Sequence, residues 1–161
     1  MKKEVSALKQ ENFKTIARNK KAYHDYFVED SFEAGIELCG TEVKSLRAGR
    51  CNLKDAWCSV ENGELLLRGM HISAYEYGNI FNRDPVRVRR LLMHKREIMH
   101  LFGVVKQQGW SLIPLSVYFK GSLVKVQVGL CRGKKLYDKR ADLAARAAKR
   151  DVDRALKERN R

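Results

Sequence analysis

The sequence lacks the long apolar segments that mark membrane proteins. No run of about 18 apolar residues occurs along the chain, so we expect no transmembrane helix. The first residues, MKKEVSALKQENFKTIARNKK, are basic but contain no apolar stretch of the kind that a secretory signal needs. These two absences predict a cytoplasmic protein with no membrane partner.

Motifs for metal binding and catalysis are also missing. None of the four cysteines belongs to a Cys-x-x-Cys pair, and none of the four histidines has a second ligand at zinc-binding spacing. The sequence has no nucleophile elbow, HExxH motif, P-loop or dinucleotide-binding glycine fingerprint. We therefore predict no metal, no cofactor and no catalytic residue. One alternative is an RNA-processing enzyme that holds Mg²⁺ on an acidic cluster, formed by Glu29, Asp30, Glu33 and Glu37.

Positive charge, in contrast, is present in excess. The 33 Lys and Arg residues outnumber the 19 Asp and Glu residues, which gives a net charge of +14. A surplus of this size favours a polyanionic partner, such as nucleic acid or an anionic membrane surface. Many of the cations stand beside aromatic or apolar residues, a combination that suits phosphate binding and base stacking on structured RNA. The basic segments are 18–26, 42–50, 87–97 and 132–140.

The apolar pattern predicts mostly strands. Residues 32–39 alternate apolar and polar side chains, and we pair this strand with residues 23–29 through a turn at Asp30-Ser31. Asn62-Gly63 predicts a second hairpin, because both turn residues must adopt positive φ angles. Three more strands are predicted at about 84–93, 111–119 and 123–131.

Only two helices are predicted before the C-terminal segment. One covers residues 42–48, and the other covers 94–108 with His94 as its N-cap and Gly109 as its end. Two helices are too few to cover both faces of a parallel sheet. We therefore predict a mainly β domain over residues 18–131, a small antiparallel oligonucleotide-binding-like barrel with flanking helices, preceded by a flexible segment at 1–17.

Residues 132–161 form a basic tail with a different composition. They carry a net charge of +7, which is half of the total, and six alanines. Helix propensity is therefore high, but an apolar stripe made mostly of alanine buries too little area to dock a helix firmly. The residues alone leave two interpretations open: a solvated helix that only aids solubility, or a segment that becomes ordered on a polyanion.

Three blocks of the sequence together resemble the SsrA-binding protein family (small protein B) of bacteria. In chain order they are IARNKKAYHDYFVEDSFEAGIELCGTEVKSLRAGR, RRLLMHKREI and GKKLYDKR, and the resemblance covers about residues 16–140. It implies a non-enzymatic barrel protein that binds the tRNA-like domain of transfer-messenger RNA and delivers it to stalled ribosomes for trans-translation. It also implies that the tail is disordered alone and becomes helical in the empty mRNA channel, near the decoding centre.

The resemblance assigns roles to individual residues. In the body, RNA contact or support of the RNA-binding surface is implied for Asn19, Lys20, Glu33, Leu92, His94 and Lys95. The basic segments add Lys21, Lys44, Arg47 and Arg96. In the tail, the decoding region is implied for Lys134, Lys135, Asp138, Lys139 and Arg140.

Two tail residues call for separate comment. Tyr137 stands where some relatives have His, so an aromatic ring can stack on a base there but no imidazole is available to take a proton. Asp138 would be repelled by phosphate, so we expect it to pair with Lys139 or Arg140 or to cap a helix.

The expected partners are therefore transfer-messenger RNA and the small-subunit RNA of the ribosome, bound by a monomer. The alternative is a ribosomal or ribosome-assembly protein with a similar barrel. The RNA that co-purifies with the protein separates these two hypotheses, and a metal-dependent cleavage assay tests the RNA-processing enzyme.

Overall fold

The computed structural model describes residues 13–160, which form nine strands and four helices. The strands are β1 (Phe13–Arg18), β2 (Tyr26–Ile36), β3 (Cys51–Asn52), β4 (Trp57–Glu61), β5 (Glu64–Arg68), β6 (His71–Ile72), β7 (Arg89–Leu92), β8 (Ser111–Lys120) and β9 (Leu123–Gly133). The helices are α1 (Lys20–Asp25), α2 (Gly40–Arg47), α3 (Lys95–Gln108) and α4 (Leu136–Arg159). The chain is thus a mixed α/β protein, as the sequence predicts in outline.

Seven strands form one antiparallel sheet in the order β1-β8-β4-β5-β7-β2-β9. Strand β9 pairs with β2 and also with β8, the second strand of that order. Strands β3 and β6 form a separate two-stranded sheet. The β4–β5 hairpin turns at Asn62 and Gly63, whose φ angles are 52° and 76°, so the hairpin that Asn-Gly predicts is confirmed.

Helix α3 follows its sequence prediction closely. Its N-cap position is His94, and it ends at Gly109, which adopts a left-handed φ of 66° and donates its N–H to the Val105 carbonyl at 3.0 Å. Ile98 and Leu101 lie one turn apart on the buried face of the helix. They join the core, whose most deeply buried members are Ala34, Leu46, Leu65, Leu67, Met70, Leu91, Leu101, Val117, Val126 and Val128.

The predicted hairpin at Asp30-Ser31 is wrong. Strand β2 continues through this point, with Asp30 opposite Leu130 and Ser31 opposite Gly129 of β9. A bulge between Val28 and Asp30 inserts one extra residue into β2 and leaves the ladder intact on both sides. The long partner strand therefore outweighs the local preference of Asp and Ser for a turn.

Three smaller predictions also need correction. Residues 20–25 form helix α1, whereas the apolar pattern predicts a strand that begins at residue 23. The strand predicted at 84–93 is confined to Arg89–Leu92, because Asp84 starts a turn in which its carboxylate accepts the Val86 N–H at 2.9 Å. The body also begins before residue 18, since Phe13–Arg18 pair with β8. The flexibility predicted for residues 1–12 lies outside the described residues.

The body and the tail meet at Gly133. Strand β9 ends there, two residues beyond the predicted limit, and α4 begins at Leu136. None of the side chains of α4 is buried, so this helix rests on its own backbone and on contacts near its first turns. The tail is thus helical over Leu136–Arg159, and the disorder expected of it away from the ribosome stays a prediction.

Candidate nucleic-acid interface

Helix α1 carries the first group of predicted RNA-binding residues. Asn19 is 3% exposed and caps the helix: its Oδ1 accepts the Ala22 N–H at 3.1 Å, and its Nδ2 donates to the Pro114 carbonyl at 3.0 Å. Both ends of the amide are therefore used inside the protein. Asn19 fixes α1 on β8, and the exposed side chains that α1 offers to a ligand are those of Lys20, Lys21 and Tyr23. Lys21 lies 3.2 Å from Asp55 in an exposed ion pair.

Glu33 lies on an exposed position of β2 and reaches across β9 to β8. Its carboxylate accepts a short hydrogen bond from the Tyr118 hydroxyl and a second one from Lys120 at 3.4 Å. Burial opposes ionisation of Glu33, but these hydrogen bonds and the positive charges of Lys120 and Lys125 hold its pKa below the usual value. Burial and the same carboxylate raise the pKa of Tyr118. Glu33 thus holds Tyr118 and Lys120 in place, and its negative charge makes it unsuited to bind phosphate itself.

The junction between β7 and α3 carries four more predicted residues. Leu92 is 47% exposed and pairs with Gly35, which lies two residues after Glu33 on the same face of β2. His94, Lys95 and Arg96 follow it and are all exposed. His94 holds the N-cap position, but its side chain makes no capping hydrogen bond with the helix. A helix N-terminus beside three basic side chains suits a phosphate.

Helix α2 carries two more of the predicted cations, Lys44 and Arg47, and both are exposed. Lys44 Nζ lies 5.3 Å from the centre of the Tyr75 ring, and Arg47 borders a shallow depression together with Lys14 and Phe119. The structure therefore joins Glu33 and Leu92 on one face of the sheet and carries the other two cations on α2. Lys44 and Arg47 stay predicted contacts with the RNA.

The head of the tail is held against α1. Lys134 is almost fully buried in its side chain, donates to the Tyr23 carbonyl at 3.1 Å, makes a short ion pair with Asp142 and lies 5.0 Å from the centre of the Phe27 ring. Lys139 lies 3.2 Å from Asp25. Both cations are thus engaged within the chain. The hydrogen bond from Lys134 lowers the pKa of Asp142.

The remaining tail residues are divided between exposed and capping positions. Lys135 and Arg140 are exposed, and the Tyr137 side chain is 65% exposed. Asp138 is the third residue of α4, and its carboxylate accepts the Lys135 N–H at 3.2 Å. Asp138 thus has a local role, but Lys135 holds the N-cap position and Asp138 supports it from the third residue, where its charge also favours the helix dipole.

A buried ion network joins α2 to β7, and no sequence motif predicts it. Glu42 is 5% exposed and accepts from Arg87 at 2.7 Å through both carboxylate oxygens, and from Arg89 at 3.1 and 3.2 Å. Arg89 is 0% exposed and also donates to the Met70 carbonyl at 2.8 Å. Burial opposes ionisation of Glu42, but the hydrogen bonds from Arg87 and the Cys39 N–H and the charges of both arginines lower its pKa. The network ties α2 to β7 and so fixes the start of α3.

The acidic cluster is distributed along β2 and the residue after it, with each carboxylate engaged separately. Glu29 lies 3.1 Å from Arg132, and Asp30 accepts the Ser31 N–H at 2.8 Å. Glu33 accepts from Tyr118 and Lys120, and Glu37 lies 3.8 Å from Arg90. Among residues 13–160, no group of three or more His, Cys, Asp or Glu side chains is arranged to hold a metal ion. The same part of the chain contains no helix long and apolar enough to cross a membrane.

Comparison with known proteins bears on this arrangement. A family model described as "SmpB protein" matches residues 16–158. The chain is 60% identical to the SsrA-binding protein of Clostridium novyi, covering 91% of this chain and 94% of the relative. It is 58% identical to the SsrA-binding protein of Desulforamulus reducens, covering 98% of each chain.

A solved structure is also similar. It is described as "tmRNA-SmpB: a journey to the center of the bacterial ribosome", with a TM-score of 0.63 and 47% sequence identity, covering 74% of this chain and 85% of that chain. The family model spans both the sheet and most of α4, and the relatives match over nearly their whole length. The resemblance inferred from the three sequence blocks is confirmed, and the chain belongs to the SmpB protein family.

Proposed function

We propose that this protein binds the tRNA-like domain of transfer-messenger RNA and delivers it to stalled ribosomes for trans-translation. Its relatives are named for binding SsrA, and the similar solved structure concerns SmpB with tmRNA in the bacterial ribosome. The net charge of +14 suits both RNA partners. We further propose that the protein acts in the cytoplasm as a monomer and catalyses no reaction itself.

The sheet serves in this proposal as a small barrel of the oligonucleotide-binding type. Support comes from the pairing of β9 with both β2 and β8, which links β8, β4, β5, β7, β2 and β9 into a ring of neighbours. A sheet closed in this way leaves few unpaired edges and holds its surface side chains rigidly. Rigid placement matters because RNA is recognised here by shape and phosphate position.

The observation that carries the proposal is the set of exposed cations fixed at helix starts. Lys20 and Lys21 stand on α1, which Asn19 clamps to β8 through two side-chain hydrogen bonds. Lys95 and Arg96 stand at the start of α3, whose position the buried Glu42 network fixes. These side chains would contact phosphates, and Glu33 and Leu92 would support the surface around them.

The tail serves in the proposal as the part that enters the empty mRNA channel. Helix α4 has 24 residues and would span about 36 Å at 1.5 Å per residue, enough to line a stretch of channel. It buries no side chain in the free protein, so we expect it to be marginal alone and stable only against ribosomal RNA. Lys135, Tyr137 and Arg140 are the exposed residues that would meet the decoding region.

The test is to identify the RNA that co-purifies with the full-length protein from its own cells. We expect one dominant RNA that folds as a tRNA-like domain with an attached message. Lys20→Ala combined with Lys95→Ala should release that RNA at lower salt than the wild type, because fewer phosphates are neutralised. Recovery of ribosomal RNA fragments alone would contradict the proposal and favour a ribosome-assembly role.

A further inference from the structure

Both tryptophans of the chain line one groove. The groove lies between α1 and α3, with its floor on β4 and the start of β8, and its volume is about 630 Å³. This volume falls within the range of roughly 300–1,000 Å³ that is typical of small-molecule sites. Trp57, Phe102, Val105 and Trp110 give it a largely apolar lining. None of these four side chains has a role in the interface described above.

Two of the aromatic rings are open to solvent. Trp57 is 47% exposed and Phe102 is 40% exposed, although both rings are large and apolar. Each carries a cation: Arg68 lies 5.7 Å from the centre of the Trp57 ring, and Lys106 lies 5.8 Å from the centre of the Phe102 ring. Half-exposed rings paired with cations form the surface on which unpaired nucleic-acid bases stack while their phosphates are neutralised.

The groove also borders the cations of α1. Lys21 and Lys54 belong to its lining, and Lys21 lies 3.2 Å from Asp55, another lining residue. An RNA whose phosphates meet Lys20 and Lys21 would therefore pass beside the groove. Asp25 and Asp55 also belong to the lining and offset Lys21 and Lys54. The positive charge that complements RNA therefore comes from Arg68 and Lys106 over the two rings and from Lys20 nearby on α1.

We propose that this groove accepts one unpaired nucleobase of the bound RNA. The base stacks on Trp57 or Phe102, and the phosphates beside it are neutralised by Lys21, Lys54 or Lys106. The inference rests on the proposed function and adds to it a stacking site apart from the phosphate contacts of α1 and α3. It gives the body a means to select RNAs that present an extruded base at this point.

The test uses intrinsic tryptophan fluorescence, because the two tryptophans of the chain both report on the groove. The full-length protein is titrated with the tRNA-like RNA. We expect quenching that saturates with binding and that persists in Trp110→Phe, where Trp57 is the remaining tryptophan. Quenching absent from wild-type protein that binds the RNA by an independent method would overturn the stacking site.

Affinity measurements separate stacking from charge. Trp57→Leu and Phe102→Leu each keep an apolar side chain but remove the ring, and at least one of them should weaken RNA binding about tenfold, within the range found for base–aromatic stacking. The slope of log affinity against log salt should stay unchanged, since no phosphate contact is lost. Trp57→Phe should retain most of the affinity if Trp57 is the stacking residue.

The control is Phe81→Leu, which removes a ring that is 73% exposed outside the groove and should leave the affinity unchanged. Thermal unfolding of each variant establishes that it is folded. Wild-type affinity in both Trp57→Leu and Phe102→Leu would overturn the groove inference while leaving the proposed function intact. Failure of the wild-type protein to bind the tRNA-like RNA would instead refute the proposed function and the inference that rests on it.

Discussion

Replacement of Glu42 by Ala should destabilise the protein more than any surface substitution. Glu42 is the carboxylate that neutralises both Arg87 and Arg89, and it accepts hydrogen bonds from each of them at 2.7–3.2 Å. Arg89 is 0% exposed, so without Glu42 its guanidinium is a buried charge with only carbonyl partners. The loss therefore includes the cost of leaving that charge uncompensated.

The size of this effect follows from the burial of the pair. Removal of one partner of a buried ion pair costs about 3–5 kcal/mol in the free energy of unfolding. For a chain of this length each kcal/mol shifts the melting temperature by about 2–4 °C, so the expected fall is about 6–20 °C. Replacing Glu42 and Arg89 together by Gln and Met should cost less than Glu42→Ala alone, because no buried charge is then left unpaired.

The assay is urea and thermal unfolding followed by circular dichroism, at neutral and at acid pH. The folded-state pKa of Glu42 is depressed, so its contribution is present above its unfolded pKa of about 4.3 and is lost as the pH falls through the folded value. The stability of Glu42→Gln should therefore fall less steeply below about pH 4.3 than that of the wild type.

The matched control is Glu76→Ala, which removes the exposed ion pair with Arg50. Exposed pairs contribute about 0–1 kcal/mol, so its melting temperature should barely change. A Glu42→Ala protein that unfolds within 1 °C of this control, a difference far below the about 6 °C expected, would refute the buried-network argument.

Three further predictions follow from the surface, the tail boundary and the buried thiols. Lys20→Ala and Lys95→Ala should each lower the slope of log affinity against log salt by about 0.7–0.9, and unchanged slope and affinity in both would remove these residues from the interface. A chain that ends at Gly133 should keep a cooperative thermal transition and bind the isolated RNA, whereas loss of the transition would make the tail part of the core. Burial raises the pKa of half-buried Cys51 and of buried Cys131 to about 11. Both thiols should therefore react with a disulfide reagent far more slowly in the folded than in the urea-unfolded protein. Equal rates in the two states would contradict this shielding.

Where local signals and tertiary pairing agree, the sequence predicted the structure well. Helix α3 has a helical apolar period, a plausible start at His94 and a glycine at Gly109, and it was predicted within one residue at its start. The Asn62-Gly63 turn was equally clear, because few residues accept the φ angles that it needs. In both cases the decisive residues are close together in the chain.

Predictions failed where a distant partner determined the conformation. The break expected at Asp30-Ser31 is absent because β9 pairs with β2 on both sides of the bulge. Arg89 was grouped with surface cations, although its spacing of two from buried Leu91 on a strand indicates the inward face. The period of two along the strand could have predicted that Arg89 points inward. Its partner Glu42 could not be predicted, because it lies 47 residues away in the chain.

For the candidate site, the structure separates exposed side chains from those engaged within the protein, and the RNA contacts themselves stay predictions. Lys20, Lys95 and Arg96 are exposed, as RNA contacts must be. Asn19 and Lys134 also belong to the blocks that carry the family resemblance, yet their side chains form hydrogen bonds inside the protein. A sequence motif shows which residues recur together, but it does not show which side chains are exposed to a partner. The structure separates exposed residues from residues that hold the exposed ones in place.

The division of labour between body and tail is the central claim, and a peptide-tagging assay on stalled ribosomes tests it most directly. The variant to measure replaces Asp138, Lys139 and Arg140 together by Ala, which removes the cap of α4, the ion pair with Asp25 and an exposed cation. The account predicts that this variant binds the isolated tRNA-like RNA like the wild type but tags almost no peptide, and that Tyr137→Ala behaves in the same way. Full tagging by the triple variant, or a parallel loss of RNA affinity, would contradict the account.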